Sequence, residues 1–133
     1  MRKFLTGSVV GIAIATLAFR ALPAPQTQDY PDAVTADPAH YSVEFENDVV
    51  RLVRIRYGAG ETSVMHHHPA NCSVYLDDQP VHMQMPDGTV VEEHAAEVGS
   101  VACNDAEVHL PTNAGDGPLE LVLIEFKGRD KAN

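Results

Sequence analysis

An all-β fold is predicted for this 133-residue chain, and two observations support the prediction. Short runs of alternating apolar and polar residues recur between residues 41 and 127, as in strands with one buried face. Gly, Pro, Asn and Asp separate these runs, and no ten-residue stretch after residue 24 has a convincing helical period. About eight short strands in one domain predict a β-sandwich or a small barrel.

The strands are predicted in chain order from their alternation and from the turn residues between them. They cover residues 41–46, 49–57, 62–68, 71–76, 81–85, 89–94, 98–103 and 119–127. In the second strand, Val53, Ile55 and Tyr57 share one face. The tripeptide Pro86-Asp87-Gly88 is typical of a turn, so the strands on either side of it are expected to form a hairpin.

The N-terminus has the pattern of an export signal. A basic start is followed by an uncharged apolar run over residues 4–19 and by small residues at 21–24. Residues 1–24 are interpreted as a cleaved signal; the alternative is an uncleaved membrane anchor, although a spanning helix needs about 20 apolar residues. Residues 25–39 are interpreted as a linker, 40–128 as the folded domain and 129–133 as a polar tail. A periplasmic or secreted protein is expected.

The charge balance argues against one class of partner. The chain has 19 acidic and 9 basic residues, and its formal net charge is −10. Removal of residues 1–24 makes the charge more negative, because that segment holds three basic residues and no acid. Such a surface repels phosphate backbones, so nucleic acid is not an expected partner.

Two cysteines, Cys72 and Cys103, are present. In an exported chain they can form a disulfide, but the sequence does not give their separation, so free thiols are the alternative. A free Cys72 thiolate is also a candidate metal ligand or redox group, whereas the simpler interpretation is a small buried residue.

Three consecutive histidines form the clearest chemical motif. In a strand, His66 and His68 project from one face and His67 from the other. Two imidazoles on one face supply most of a transition-metal site, and a third ligand has to come from elsewhere in the chain. The alternative is a histidine-rich surface strand, which binds nothing.

The spacing of these residues resembles that of the cupin superfamily. The matching residues are Gly60, His66 and His68 in the first motif and Gly99, His109 and Asn113 in the second. The chain is similar to small single-domain bacterial cupins, some of them labelled β-alanine-degradation proteins. The resemblance implies a jelly-roll β-barrel (a double-stranded β-helix), metal ligation by His66, His68 and His109, and a homodimer.

Two departures from the cupin pattern shape the functional expectation. The Glu of the first motif falls at Cys72 or Ser73, and the Pro-x-Gly of the second has no clean match. A three-histidine site is therefore expected, which suits Fe, Zn, Ni, Cu or Mn. The chain is interpreted as a metal-dependent enzyme acting on a small molecule, of the oxygenase or isomerase/lyase type. The alternative is a non-catalytic metal- or ligand-binding cupin, such as a periplasmic sensor or carrier.

Further residues are candidates for additional or supporting groups at the metal: Cys72, Tyr75, His82 and Asn113. Tyr75 is expected to point into the barrel, where its hydroxyl needs a partner. His82 lines the barrel mouth or lies on an exposed polar face. Arg54 and Arg56 pair with acids across strands or hold a carboxylate substrate, and pairing is favoured. No Asp or Glu can be placed at the site, so no general base is predicted.

Overall fold

The structure is a computed structural model that describes residues 29–93 and 97–132. Within these residues it contains one short helix, α1 (Ala33–Ala36), and nine strands. The strands are β1 (Tyr41–Glu46), β2 (Val50–Tyr57), β3 (His66–His68), β4 (Asn71–Tyr75), β5 (Val81–Gln84), β6 (Val90–Glu93), β7 (Val101–Asn104), β8 (Glu107–Asn113) and β9 (Leu119–Phe126). The predicted export segment and His94 lie outside the described residues. No helix in the described ranges has the length and apolar character needed to cross a membrane.

The strands form two antiparallel sheets. One has five strands in the order β1-β2-β9-β4-β7, and the other has four in the order β3-β8-β5-β6. Val53, Ile55 and Leu123 of the larger sheet and Val81 of the smaller one belong to a single buried core. Each such aliphatic side chain contributes about 1.5–3 kcal/mol when it is buried. The predicted all-β barrel is confirmed.

Strand β2 shows how the alternation assigns faces. Its inward residues Val53, Ile55 and Tyr57 are buried. Arg54 and Arg56 project from the other face, where Arg54 pairs with Glu44 and Glu120 and Arg56 with Glu120. The favoured interpretation of these arginines, pairing with acids across strands, is thus confirmed.

The predicted hairpin at residues 86–88 is present. Strand β5 pairs antiparallel with β6, and the Gly88 N–H donates to the Met85 carbonyl over 2.9 Å. Gly88 has φ +86°, which a residue without Cβ adopts at little cost. The hairpin carries Glu93 to the rim of the barrel, opposite Val81.

Two strands differ from the prediction. β3 is confined to His66–His68, whereas the alternation extends back to residue 62. The pattern also does not delimit β8, because Pro111 lies inside it and proline normally argues against a strand that is paired on both sides. Pro111 faces Met83 in the pairing with β5, and its carbonyl accepts from the Ser63 N–H.

Part of the segment interpreted as a linker packs on the barrel. Asp32 caps α1 by accepting from the Val34 N–H, and Ala33 is fully buried. Helix α1 contacts β1 and β3. A four-residue helix is too short to produce a recognisable period, so the sequence pattern did not reveal it. At the other terminus, the Arg129 carbonyl accepts from the Ala70 N–H, so the predicted tail also begins against the domain.

Candidate metal centre

Strands β3 and β8 bring three histidines together inside the barrel. Their antiparallel register places His66 opposite His109 and His68 opposite Glu107. The exposed fractions of His66, His68 and His109 are 0%, 2% and 6%. His67 projects from the other face of β3, and its backbone N–H donates to the Pro31 carbonyl. We refer to His66, His68 and His109 as the triad.

The triad has the dimensions of a metal site. One ligand nitrogen from each of the three side chains can be chosen so that all lie within 4.8 Å of one another. The Nε2 atoms of His66 and His68 are 3.0 Å apart. Nitrogen ligands at about 2.0–2.1 Å from a metal lie roughly 3 Å from each other, so the spacing fits a shared ion.

The hydrogen-bond partners orient the rings. His66 Nδ1 lies 2.7 Å from the Val64 carbonyl, and His68 Nδ1 lies 2.8 Å from Glu125 Oε1. His109 Nδ1 faces Glu107 Oε2 at 3.5 Å. Because each Nδ1 faces an acceptor, we assign its proton to that atom, which leaves the Nε2 lone pairs for a ligand. Converging lone pairs repel each other unless a cation or a donor lies between them.

The electrostatics keep His66 in the form that binds a metal. Burial, followed by the nearby charges of His68 and His109, lowers the pKa of His66 to about 3. A neutral imidazole is the ligating form, and desolvation disfavours the charged one. Protons therefore compete weakly at this ligand.

A buried ion-pair chain supports His68 from behind. Glu125 on β9 is fully buried and accepts from the His68 ring. Arg51 on β2 pairs with Glu125 and also with Asp32, the residue that caps α1. The cross-strand register places Arg51 directly opposite Glu125. The chain from His68 through Glu125 and Arg51 to Asp32 ties the metal centre to the N-terminal segment.

His66 is held by polar groups on the opposite side. The Tyr41 hydroxyl lies 3.2 Å from His66 Nε2 and 2.6 Å from the Tyr57 hydroxyl. Ser63 donates to Asp37 over 2.6 Å, and its Oγ also lies 3.5 Å from His66 Nδ1. Burial raises the pKa of Tyr41 well above its usual value, so its phenol stays protonated and can donate.

A cavity of about 60 Å³ adjoins the triad. Its walls include His68 and His109, the phenols of Tyr41 and Tyr75, and the carboxylate of Glu107. Aliphatic side chains from both sheets complete it, among them Ile55, Val81, Met83 and Leu121. Such a mostly apolar space with a few convergent polar groups is typical of a small-molecule site.

Glu107 joins the cavity to the triad. Burial opposes its ionisation, but the contact with His109 and the hydrogen bond from Asn71 lower its pKa below the usual value. Its side chain is 29% exposed, in contrast to 1% for Glu125. Glu107 is thus an ionised carboxylate that faces the cavity.

Cys72 is not a ligand of the metal centre, which was one of the alternatives for this residue. Cys72 and Cys103 are joined by a disulfide, with their Cα atoms 4.0 Å apart on paired positions of β4 and β7. The neighbouring Ser73 occupies the inner face of β4 and lines the cavity, so Cys72 projects outward. Of the alternatives for the cysteines, the structure has the disulfide.

Of the remaining candidates, one lines the cavity and two do not. Tyr75 lines the cavity, as expected. His82 lies on the outer face of β5, is 46% exposed and approaches Glu92, so it does not reach the metal centre. Asn113 is buried, but its side chain donates to the carbonyls of Gly58 and Gly117, at the far end of β8 from His109. Its role is to hold two loops together.

Five groups around the site were missed from the sequence: Tyr41, Tyr57, Glu93, Glu107 and Glu125. A usable signal existed for Glu107, because it lies two residues before His109 and shares its face in a strand. No local signal identifies Glu125, since a charged residue on the alternating strand 119–127 is normally assigned to the exposed face.

Comparison with solved structures identifies the fold. The chain has the double-stranded β-helix fold of the cupins, as the sequence resemblance implied. A cupin domain from Bordetella pertussis Tohama I is 21% identical with a TM-score of 0.61, over 76% of this chain and 99% of that one. No protein-family model and no curated protein matches the sequence.

Two further solved structures support the fold. An uncharacterized conserved protein with a double-stranded β-helix domain from Klebsiella pneumoniae is 19% identical, with a TM-score of 0.51 over 68% of this chain and 77% of that one. A Cupin 2 conserved barrel domain protein from Salinispora arenicola is 14% identical, with a TM-score of 0.51 over 84% and 92%. At these identities the likeness establishes the fold, and the chemistry rests on the triad.

Proposed function

We propose that this chain binds a divalent transition metal through Nε2 of His66, His68 and His109. We propose further that it acts on a small molecule as a metal-dependent enzyme of the oxygenase or isomerase/lyase type. The observation that carries the proposal is the convergence of three buried imidazoles whose Nδ1 atoms all face acceptors. Three neutral nitrogens suit Fe, Zn, Ni, Cu or Mn.

The metal, when bound, would supply Lewis-acid or redox chemistry beside the cavity. The chain's own groups have separate tasks. Val64 and Glu125 fix the ring orientations of His66 and His68. The Tyr41 phenol holds a proton next to His66, whereas the ionised Glu107 can accept one from a ligand in the cavity. The aliphatic walls exclude bulk water, which strengthens these polar interactions.

Metal analysis of protein without a polyhistidine tag tests the binding step. Wild-type protein is expected to retain about one metal ion per chain after dialysis, and His66→Ala and His109→Ala to lose it. His67→Ala is the matched control, because His67 belongs to the same strand but projects from the other face. Unchanged metal content in both triad variants, with folding verified by circular dichroism, refutes the site.

Turnover is tested separately with the loaded protein. Oxygen uptake or product formation with small thiols, alcohols or amines, lost in His109→Ala, supports an enzyme. Tight metal binding without turnover across such a panel supports the alternative, a non-catalytic metal- or ligand-binding protein.

Export and dimerisation are also proposed, each with its own support. The disulfide suits an oxidising compartment such as the periplasm. A mass consistent with cleavage near residue 24, measured on protein from a periplasmic extract, tests export. Val43 and Phe45 are exposed on β1, which is an edge strand, and an exposed apolar edge suits pairing with a second copy. Analytical ultracentrifugation tests the homodimer.

A further inference from the structure

We propose that the cavity beside the triad selects a small cationic ligand carrying a protonated amine and disfavours carboxylates. This inference rests on the proposed function, because it names the substrate class of the same site. It follows from the charges that line the cavity and from the distribution of the basic residues.

The ionisable acids lining the cavity are Glu93 and Glu107. Glu107 is on the inner face of β8, two positions before His109. Glu93 is on β6 opposite the buried Val81, so its side chain is on the inward face at the rim. One carboxylate therefore lies beside the triad and the other at the cavity mouth.

No lysine or arginine balances these two acids. The described cavity wall contains neither residue type. Arg51 forms ion pairs with Asp32 and Glu125 outside the cavity. Arg54, also outside it, forms ion pairs with Glu44 and Glu120. Within residues 29–93 and 97–132, Glu93 has no hydrogen-bond or ion-pair partner.

Neutral imidazoles contribute no charge to the site, so two carboxylates offset the charge of one divalent ion. An anionic ligand then gains little net attraction at the metal and is repelled at the mouth. An ammonium group instead donates charge-assisted hydrogen bonds to the carboxylates. Tyr75 lines the same cavity as both acids.

The cavity volume limits the size of the ligand. About 60 Å³ accommodates on the order of four to six water-sized groups. A primary amine with three or four heavy atoms fits this space, and its alkyl part meets Val81, Met83 and Leu121. The apolar walls and the acidic groups thus suit the two ends of one molecule.

Three probes of equal length separate charge from size: 1-propylammonium, 1-propanol and propionate. Each is titrated at pH 7 into the metal-free and the metal-loaded full-length protein, and binding is followed by NMR shifts of the Met83 methyl group. In both forms propylammonium is expected to bind at least about tenfold more tightly than propanol, and propionate more weakly still. Tighter binding of propionate overturns the proposal, as does the absence of binding by propylammonium.

The variants assign the selectivity to named residues. Glu93→Gln and Glu107→Gln are each expected to weaken propylammonium binding by about tenfold while leaving propanol unchanged. Glu92→Gln is the matched control, because Glu92 is adjacent but lies beside His82 on the outer face. Equal losses in Glu92→Gln and Glu93→Gln overturn the assignment. Glu93 is exposed, so its variant is expected to fold even if Glu107→Gln does not.

The outcomes distinguish this inference from the proposed function. If metal analysis finds no metal but metal-free protein still prefers propylammonium, the proposed function fails and the ligand class holds. If the triad binds metal but propionate is preferred, the ligand class fails and the metal centre holds.

Discussion

Two carboxylates contact the triad, and their surroundings differ. Glu125 is fully buried, accepts from His68 and is neutralised by Arg51. Glu107 approaches His109, is partly exposed and, within the described residues, pairs with no lysine or arginine. The same type of side chain therefore has different roles at two ligands, over Nδ1–oxygen distances of 2.8 Å for Glu125 and 3.5 Å for Glu107. Glu125 only positions a ring, whereas Glu107 also presents charge to the cavity.

The difference indicates that one part of the barrel supports the triad and another part supplies charge to the ligand cavity. The groups that support His68 come from the five-stranded sheet and α1, behind the triad. The two carboxylates that line the cavity come from the four-stranded sheet, on β6 and β8. Substitutions behind the triad should affect stability first, and those in front of it should affect binding first.

The largest stability effect is expected at Arg51. Arg51→Met leaves the Glu125 charge buried without its cation, and removing one partner of a buried pair costs about 4 kcal/mol. Urea unfolding measures the change. Arg54→Met is the matched control on the same strand; its pairs are more exposed, so a loss below about 1 kcal/mol is expected. Equal losses in the two variants would remove the distinction between Glu125 and an ordinary surface acid.

The disulfide provides the next largest effect and separates stability from metal binding. Replacing both Cys72 and Cys103 by Ser releases a loop closed over 31 residues, with an expected loss of about 3 kcal/mol. Because Cys72 projects away from the cavity, metal content per folded chain should not change. A loss of metal in the folded double variant would show that β4 and β7 transmit strain to the triad.

Glu107→Gln and Glu125→Gln test the comparison directly. Both remove a carboxylate that orients a ligand ring, so metal affinity is expected to fall by about tenfold or more in each. Their stabilities should diverge, because Glu107 pairs with no lysine or arginine among the described residues, whereas Glu125→Gln removes one of the two carboxylates that pair with Arg51. Competition with a chelator and thermal unfolding, measured on the same samples, give the two values. Equal destabilisation would contradict the assignment of separate roles.

The smallest effect concerns pH. His40 stacks on Tyr57 and contacts Asp37 and Glu61. Burial opposes its protonation, but these two carboxylates raise its pKa above 6.5. Its contribution to stability is therefore fully present below pH 6.5 and is lost as the pH rises through the raised pKa. The free energies of unfolding at pH 5.5 and pH 9 should differ less in His40→Gln than in the wild type. The difference between the two proteins is expected to be below about 1 kcal/mol. An identical pH dependence in the two proteins would rule out this role.

The sequence predicted the fold and the triad well because both depend on local regularities. Alternation with period two gives the faces of His66 and His68, and the motif spacing locates His109. The supporting groups depend instead on which strands become neighbours. Glu125 lies 57 positions from His68, and only the sheet order makes them partners.

Two candidates for the metal centre lie outside it, and in both cases the reason is the face of a strand. Cys72 stands at the position of an expected acid ligand, but a shift of one residue along a strand reverses the face, and Ser73 is the residue that points inward. His82 shares the polar face of its strand with Gln84, which favours an exposed position, and the structure places it there, on the face opposite to the buried Val81.

The register between β3 and β8 has a consequence for how the sequence can change. Three consecutive histidines pair with a strand that offers one histidine, so the number of imidazoles facing inward depends on alignment. A single-residue insertion or deletion next to β3 that slips this pairing would turn His67 inward and His66 and His68 outward. The number of inward imidazoles would fall from three to two, with His67 in place of His66 and His68, without replacing any histidine. Relatives are therefore expected to keep the number of residues from Gly60 to His66, even where the residues between them vary.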